Sequence, residues 1–338
     1  MAALLYGSAL HHLDHLAPLS QFLSIPLFVT DEEIYLFAQK FYPELSVQHI
    51  EPLRVGQVLV EKYSRVVSPL PRAVMEELLF FAERSLSKTI STIWCPHGYS
   101  DKGCQSGFMK HLSQEEHLFL YGTKMVDELT SLGVISHKKN YTLLGHYRYI
   151  DYLIHKVFYD QAIEQVLAPL KGARKTYLYA PTWIDSENSS SFSGVISLLI
   201  EKLPKDVNLI IKPHPNLEIQ EGRLLFELET SYQGHPHLLF LKQCPLIFPL
   251  LAKSDLYLGD ASSIGYDYLA FDRPLILFNP NRRDIEKDRG LYLHRAAVSL
   301  KPEEYAHIYE RVESLFAGED KLFSPLRKKV YSSAFSSG

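Results

Sequence analysis

Residues 254–265 read SDLYLGDASSIG, a short apolar run followed at once by a polar turn and the start of a helical pattern that continues to residue 271. Four apolar residues bounded by turn signals read as a buried strand, and a serine pair ahead of apolar-periodic residues reads as a helix start. The same unit recurs through the second half of the chain. Strands are expected over 176–180, 207–211, 238–241, 256–259 and 275–278, with helices over 192–203, 219–232, 245–253 and 263–271. A comparable series fills the first half: strands over 2–6, 26–29, 89–94, 117–121 and 141–144, helices over 72–85 and 123–132. Strands alternating with helices form parallel sheets covered by helices on both faces, because only a right-handed crossover joins such strands. The expected fold is therefore α/β, with two Rossmann-like domains facing across a cleft. Residues 1–168 make the first, 172–302 the second, and 303–338 a helical segment able to pack back across the cleft.

Whole-chain properties narrow the function. The 338 residues suit two cores rather than one, and 46% hydrophobic with 22% charged residues is the balance of a globular protein. A net charge of -4 gives no electrostatic reason to expect a nucleic-acid partner. Three scattered cysteines (Cys95, Cys104, Cys244) argue against a disulfide framework and for a reducing compartment. The N-terminal stretch has no basic region ahead of an apolar one, and no run approaches the roughly 18 apolar residues of a spanning helix. The expected location is cytoplasmic, either free or peripheral at the inner face of the membrane. The basic stretch 325–331, PLRKKVY, reads as a solvated helix end or as a docking surface for a lipid-linked acceptor.

Ligands of open α/β sheets bind beyond the carboxyl ends of the strands, so the residues after each strand matter most. After Trp94 come Cys95-Pro96-His97-Gly98. Imidazole exchanges a proton near neutral pH without a large shift, so His97 could deprotonate a hydroxyl, donate to a phosphate, or simply tie down its loop. Lys212-Pro213-His214-Pro215 follows 207–211: the prolines preset the ring, the lysine suits an anion, and the alternative is a histidine capping the next helix. Ser262 and Ser263 offer hydroxyls and free N–H groups at a helix start, a phosphate site or an ordinary cap from Ser262 or Asp260. Thr182 and Trp183 follow 176–180, as phosphate contact and site wall or as packing. Arg282, Arg283, Asp284 and Arg289 follow 275–278, where a guanidinium could fork onto a polyphosphate or face solvent. His11, His12 and His15 follow the first strand and border the acceptor side, and no nearby carboxylate completes a convincing metal site with them. No phosphate-loop, dinucleotide-binding or nucleophile-elbow motif is present.

Taken in order, these pieces resemble the CDP-glycerol glycerophosphotransferase family, the enzymes that extend teichoic-acid-type polymers. The series runs Trp94-x-x-His97-Gly98, Gly145-x-x-Arg148-x-x-Asp151, Tyr179-Ala180-Pro181-Thr182-Trp183 and Lys212-Pro213-His214-Pro215. It continues with 254–263, Asp267-Tyr268, Arg273-Pro274, Asp284 and Arg289-Gly290, and so covers roughly residues 90 to 295. The resemblance implies a GT-B-like fold, with the first domain on the acceptor side, the second on the donor side, and no cofactor or obligatory metal ion. It implies His97 as the base on the acceptor hydroxyl and His214 on the donor phosphates. Ser262 and Ser263 would hold the diphosphate, Thr182 and Arg289 would be secondary phosphate contacts, and Gly98, Lys212, Asp260, Trp183 and Arg148 would line the cleft. Three departures stand out: Cys95-Pro96 separates Trp94 from His97, Ala261 replaces a tyrosine, and Gly145-His146-Tyr147-Arg148 lacks the usual proline.

The implied activity is transfer of a glycerol-phosphate or similar polyol-phosphate group from a CDP-activated donor to a hydroxyl on a lipid-linked or polymeric acceptor. A glycosyltransferase using a nucleotide sugar, a related sugar-nucleotide epimerase, and a non-catalytic nucleotide-binding relative share the same architecture and stay open.

Overall fold

A computed structural model describes residues 1–101, 107–136, 140–172, 175–185, 187–242, 244 and 246–336. Cys104 and Pro245, used in the sequence reading, lie outside the described residues. The chain divides into two compact units, one comprising Met1–Tyr99, Gly103–Ile154 and Ser333–Gly338, the other Ser100–Lys102 and His155–Ser332.

The first unit holds a seven-stranded sheet of β1 (Ala2–Leu5), β2 (Leu27–Val29), β3 (Val47–His49), β4 (Arg65–Ser68), β5 (Ser91–Trp94), β6 (His117–Leu120) and β7 (Asn140–Leu143), in the order β3-β2-β1-β4-β5-β6-β7. The second holds a six-stranded sheet of β8 (Lys175–Ala180), β9 (Val207–Ile211), β10 (Leu238–Phe240), β11 (Leu256–Gly259), β12 (Leu275–Phe278) and β13 (Val298–Leu300), ordered β10-β9-β8-β11-β12-β13. Each neighbouring pair is parallel, as β8 with β11 shows: Leu256 lies opposite Tyr177 and Gly259 opposite Ala180. The strand order reverses between β1 and β4 in one sheet and between β8 and β11 in the other. Those are the switch points at which open parallel sheets leave a crevice.

Burial explains why these runs are strands. β1, β9, β11 and β12 are buried along their whole length. Parallel strands covered on both faces must be apolar throughout rather than alternating. The edge strand β7 is mostly exposed and correspondingly polar, Asn-Tyr-Thr-Leu. In the first unit Ala2, Leu4 and Val66 pack under Val55 and Leu59 of the helix Val55–Lys62 and Met75 and Leu79 of the helix Arg72–Leu86. In the second, Leu209, Leu256 and Phe278 meet Val195 and Leu199 of the helix Phe192–Glu201 and Val312 and Leu315 of the helix Ile308–Phe316. Among the described residues, no helix is long and apolar enough to cross a membrane.

The structure adds β3, β4 and β13 to the sequence reading, all of four residues or fewer. It also takes one charge of the basic tail inside, while Lys328 and Lys329 stay exposed on the helix. Residues 325–331 fall within the helix Ser324–Ala334, and Arg327 is only 1% exposed. Its guanidinium donates to Asp272 at 2.9 Å and to both Asp320 oxygens at 2.7 and 2.8 Å, so it is an interior clamp rather than a solvated or docking charge. Removing one partner of a buried ion pair leaves the other uncompensated. Arg327→Met is therefore expected to lower unfolding free energy by about 3 kcal/mol, read from the urea midpoint. An unchanged midpoint would show that the clamp adds nothing to stability.

Candidate functional site

In the first unit the site is built on the ends of β1 and β5. The Cys95 N–H donates to the Ser68 carbonyl at 3.0 Å and the Trp94 indole to the Pro69 carbonyl at 3.0 Å, anchoring the turn that carries His97. Gly98 follows with φ 130°, a conformation that excludes side chains larger than glycine's. His97 reaches solvent and stands among other imidazoles. Its ring centroid is 4.3 Å from that of His12 and 6.2 Å from that of His11, and these two are 4.4 Å apart. The protein packed around it disfavours the imidazolium and holds its pKa below the ordinary value.

His15 lies deeper, with Nδ1 2.8 Å from the Tyr121 hydroxyl, and its pKa is well below the usual value. Burial is the main cause, followed by the field of Arg148 and of the neighbouring histidines. Arg148 is 4% exposed, and the reason is legible in the chain. Pro18 sits inside the helix Leu13–Phe22 and has no N–H for the Asp14 carbonyl. Arg148 Nε donates to that carbonyl at 3.0 Å, and its guanidinium also pairs with the Asp14 carboxylate. The Cys95 thiol is buried and pushed up to about 12, so it is not a nucleophile at neutral pH.

In the second unit the site is built around Asp260, which is fully buried. Its carboxylate accepts the Thr182 N–H at 2.8 Å and the Ser191 N–H at 3.2 Å, binding the loop after β8 to the end of β11. Thr182 is itself 5% exposed. Ser262 occupies the cap position of the helix Ser263–Tyr268 without a side-chain cap bond. Its Oγ lies 3.1 Å from the Tyr257 hydroxyl, which also donates to the Ala180 carbonyl at 3.3 Å. Gly259 makes this arrangement possible, since a Cβ there would fall 2.6 Å from the Tyr257 hydroxyl and 2.8 Å from the Ala180 carbonyl.

His214 caps the helix Pro215–Gln220, its Nδ1 accepting the Asn216 N–H at 3.1 Å. The neutral ring therefore carries its proton on Nε2, the form that donates to an anion. The Trp183 ring centroid is 6.3 Å from that of His214. Lys212 is half-buried after β9, and Arg289 is exposed at the start of the 3-10 stretch Arg289–Ala296. Arg283, by contrast, is committed to Asp288 at 2.6 and 2.7 Å and to Glu187 at 2.8 Å.

The structure thus joins Thr182 to Asp260, Trp183 to His214, and His97 to His11 and His12. Sequence reading missed His294, because nothing around it in the chain signals burial. It is 2% exposed, with Nδ1 2.8 Å from Ser299 Oγ.

A family profile described as CDP-Glycerol:Poly(glycerophosphate) glycerophosphotransferase matches residues 135–316, just over half of the chain. The chain belongs to that family. It is accordingly a transferase of the glycerophosphotransferase family. No curated protein matches it in sequence. Among solved structures, the wall teichoic acid polymerase TagF is similar with a TM-score of 0.68 at 15% identity, over 100% of this chain and 84% of TagF. Anabaena HepE in complex with UDP-glucose gives 0.58 at 12%, over 99% of this chain and 96% of HepE. S. aureus MnaA with UDP gives 0.59 at 13%, over 100% of this chain and 92% of MnaA. At such identities the likeness establishes the fold, α/β and GT-B-like.

Two outcomes follow. Asp260→Ala would strand two buried N–H groups and is expected to cost about 3 kcal/mol, measured by denaturant unfolding. Buried neutral histidines also make stability pH-dependent. Burial, and then the charge of Arg283, hold His294 down to about 3 from 6.5. Below pH 6.5 the unfolded chain takes up protons that folded His15 and His294 refuse, so stability falls as pH drops, by up to about 1.4 kcal/mol per pH unit for each. Unfolding at pH 7.5, 6 and 5 should show this slope, reduced by one proton in His294→Gln.

Proposed function

We propose that this transferase moves a glycerol-phosphate or similar polyol-phosphate group from a CDP-activated donor to an acceptor hydroxyl carried on a lipid-linked or polymeric substrate. The observation carrying this reading is the donor-side assembly at the ends of β8, β9 and β11: the Asp260-held Thr182 loop, His214 with its proton on Nε2, and Ser262 at a helix start. Such groups suit a diphosphate, since backbone N–H, hydroxyl and imidazole N–H donors stabilise charge without reorganising. A likeness to TagF, of which one form was soaked with CDPG, agrees with a CDP-linked donor.

The proposed step is a displacement at phosphorus. The acceptor oxygen bonds to the phosphorus bearing the polyol, the bond from that phosphorus to the CMP oxygen breaks, and CMP leaves with the electron pair. His97 takes the acceptor proton. His214, Ser262 and Ser263 hold the diphosphate and receive the charge that builds on it, with Thr182 and Arg289 as further phosphate contacts. Lys212 adds positive potential and Trp183 borders the donor phosphates, while Gly98 borders His97 on the acceptor side. Asp260 acts through the loop it holds, and Arg148 through the helix Leu13–Phe22 whose Asp14 it pairs with. Positioning and preorganised donors supply most of the acceleration in such chemistry.

A base must be unprotonated, and a lowered His97 pKa keeps it so at neutral pH. Turnover should therefore fall only on the acid side, below pH 6.5. His97→Gln is expected to reduce turnover by about 10²- to 10⁴-fold while leaving CDP-glycerol affinity within about twofold. His214→Ala should weaken donor binding about tenfold, by calorimetry. Full activity in His97→Gln would remove the base assignment. Tighter binding of UDP-glucose than of CDP-glycerol would move the protein to sugar transfer, the chemistry suggested by the likeness to HepE with UDP-glucose. Silence across both donors from folded protein would favour a non-catalytic relative.

A further inference from the structure

Beyond the phosphate contacts, the loop after β12 closes a small cavity against the end of β11. Ser189, Ala261, Asn279, Arg283, Gly290 and His294 are among its walls. The space available to the centre of a water-sized sphere is about 10 Å³, room for one oxygen.

Two of its polar side chains, Arg283 and Asn279, are committed to partners in the protein. Arg283 is spent on Asp288 and Glu187. The Asn279 amide donates to the Arg283 carbonyl at 2.8 Å and its oxygen accepts the Arg283 N–H at 3.0 Å. His294 Nδ1 faces Ser299, but Nε2 is buried without a hydrogen-bond partner among the described residues. Buried polar atoms are almost always satisfied, so such an atom marks a place where something binds.

The chemistry selects the guest. The Ser299 hydroxyl can donate to Nδ1 or accept from it, so Nε2 can be either acceptor or donor. A hydroxyl matches both states, and it fits the space. The position selects the source: the lining residues Ala261 and Gly290 are next in sequence to Ser262 and Arg289, two of the proposed phosphate contacts.

We propose that the His294 cavity is a hydroxyl subsite for the donor, taking one hydroxyl of its ribose or polyol onto Nε2. This rests on the reading that the second unit binds a nucleotide-activated donor. Burial keeps the imidazole neutral down to about pH 3, so the contact is indifferent to pH across the neutral range.

The test is calorimetry of wild type, His294→Phe and His294→Gln with CDP-glycerol, its two single-deoxy analogues CDP-1,2-propanediol and CDP-1,3-propanediol, CDP, 2′-deoxy-CDP and 3′-deoxy-CDP, plus UDP and its two deoxy forms. Thermal melts report folding of each variant. In wild type, removal of one hydroxyl is expected to weaken binding about tenfold, in the ribose series or the polyol series, which identifies the source. His294→Phe should bind the intact ligand about tenfold more weakly and no longer distinguish it from the deoxy form. His294→Gln, which keeps a polar group, should recover part of both. The proposal is overturned if folded His294→Phe keeps wild-type affinity and discrimination, since the cavity then holds structural water only. It is also overturned if no nucleotide binds. If the hydroxyl pattern appears with the UDP series and not with CDP, the subsite stands and the CDP reading fails.

Discussion

A carboxylate removed from water has to be met by hydrogen-bond donors, and in this protein the donors that meet Asp260 are backbone N–H groups of another loop. Thr182 and Ser191 bracket the segment between β8 and the next helix, and both point at the same side chain. The Tyr179 hydroxyl, 2.9 Å from Ser191 Oγ, and Ser190 Oγ, donating to the Thr182 carbonyl at 2.7 Å, complete the tie. One buried charge thus sets the geometry of the loop that follows the first strand of the sheet, at the point where the strand order reverses. The positions of Thr182 and Trp183 depend on that loop being held.

The same logic operates in smaller form at Ser262. Two residues on one face of β11, Tyr257 and Gly259, work as a pair: the glycine leaves the space through which the tyrosine hydroxyl reaches Ser262 and Ala180. The serine is therefore oriented by a core residue rather than consumed as a helix cap. His214 differs, since its Nδ1 does cap a helix, and that bond decides which nitrogen carries the proton. One ring thus both caps a helix and presents an N–H.

In the first unit a defect is repaired by a charge. Pro18 deprives the Asp14 carbonyl of its helical partner, and Arg148 supplies one while pairing with the carboxylate of the same residue. The buried cation in turn opposes protonation of His15. At the edge of this cluster burial disfavours the imidazolium of His97, and the neutral ring is the state a base requires.

Much of the architecture was legible in the chain. β9, β11 and β12 coincide with apolar runs read directly, because strands buried on both faces need no alternation to be recognised. β3, β4 and β13 were not, because Val-Gln-His, Arg-Val-Val-Ser and Val-Ser-Leu mix polar with apolar residues and give no continuous apolar run, and the helix Leu13–Phe22 was hidden by its proline. The order of motifs also carried the family, since His97, His214 and Ser262 each follow a strand end. What the chain could not state is which charged residues are inside. Arg327 reads as part of a basic tail and is a buried clamp; Arg283 reads as a polyphosphate contact or a solvated charge and is spent on Asp288; His294 reads as nothing and is buried with an open nitrogen. Local pattern determines whether a segment is strand or helix, because backbone sterics and periodic burial act over a few residues. The fate of a charge or an imidazole depends on partners 5 to more than 100 positions away, as with Asp272 for Arg327 and Arg148 for Asp14, and only the folded chain brings them together.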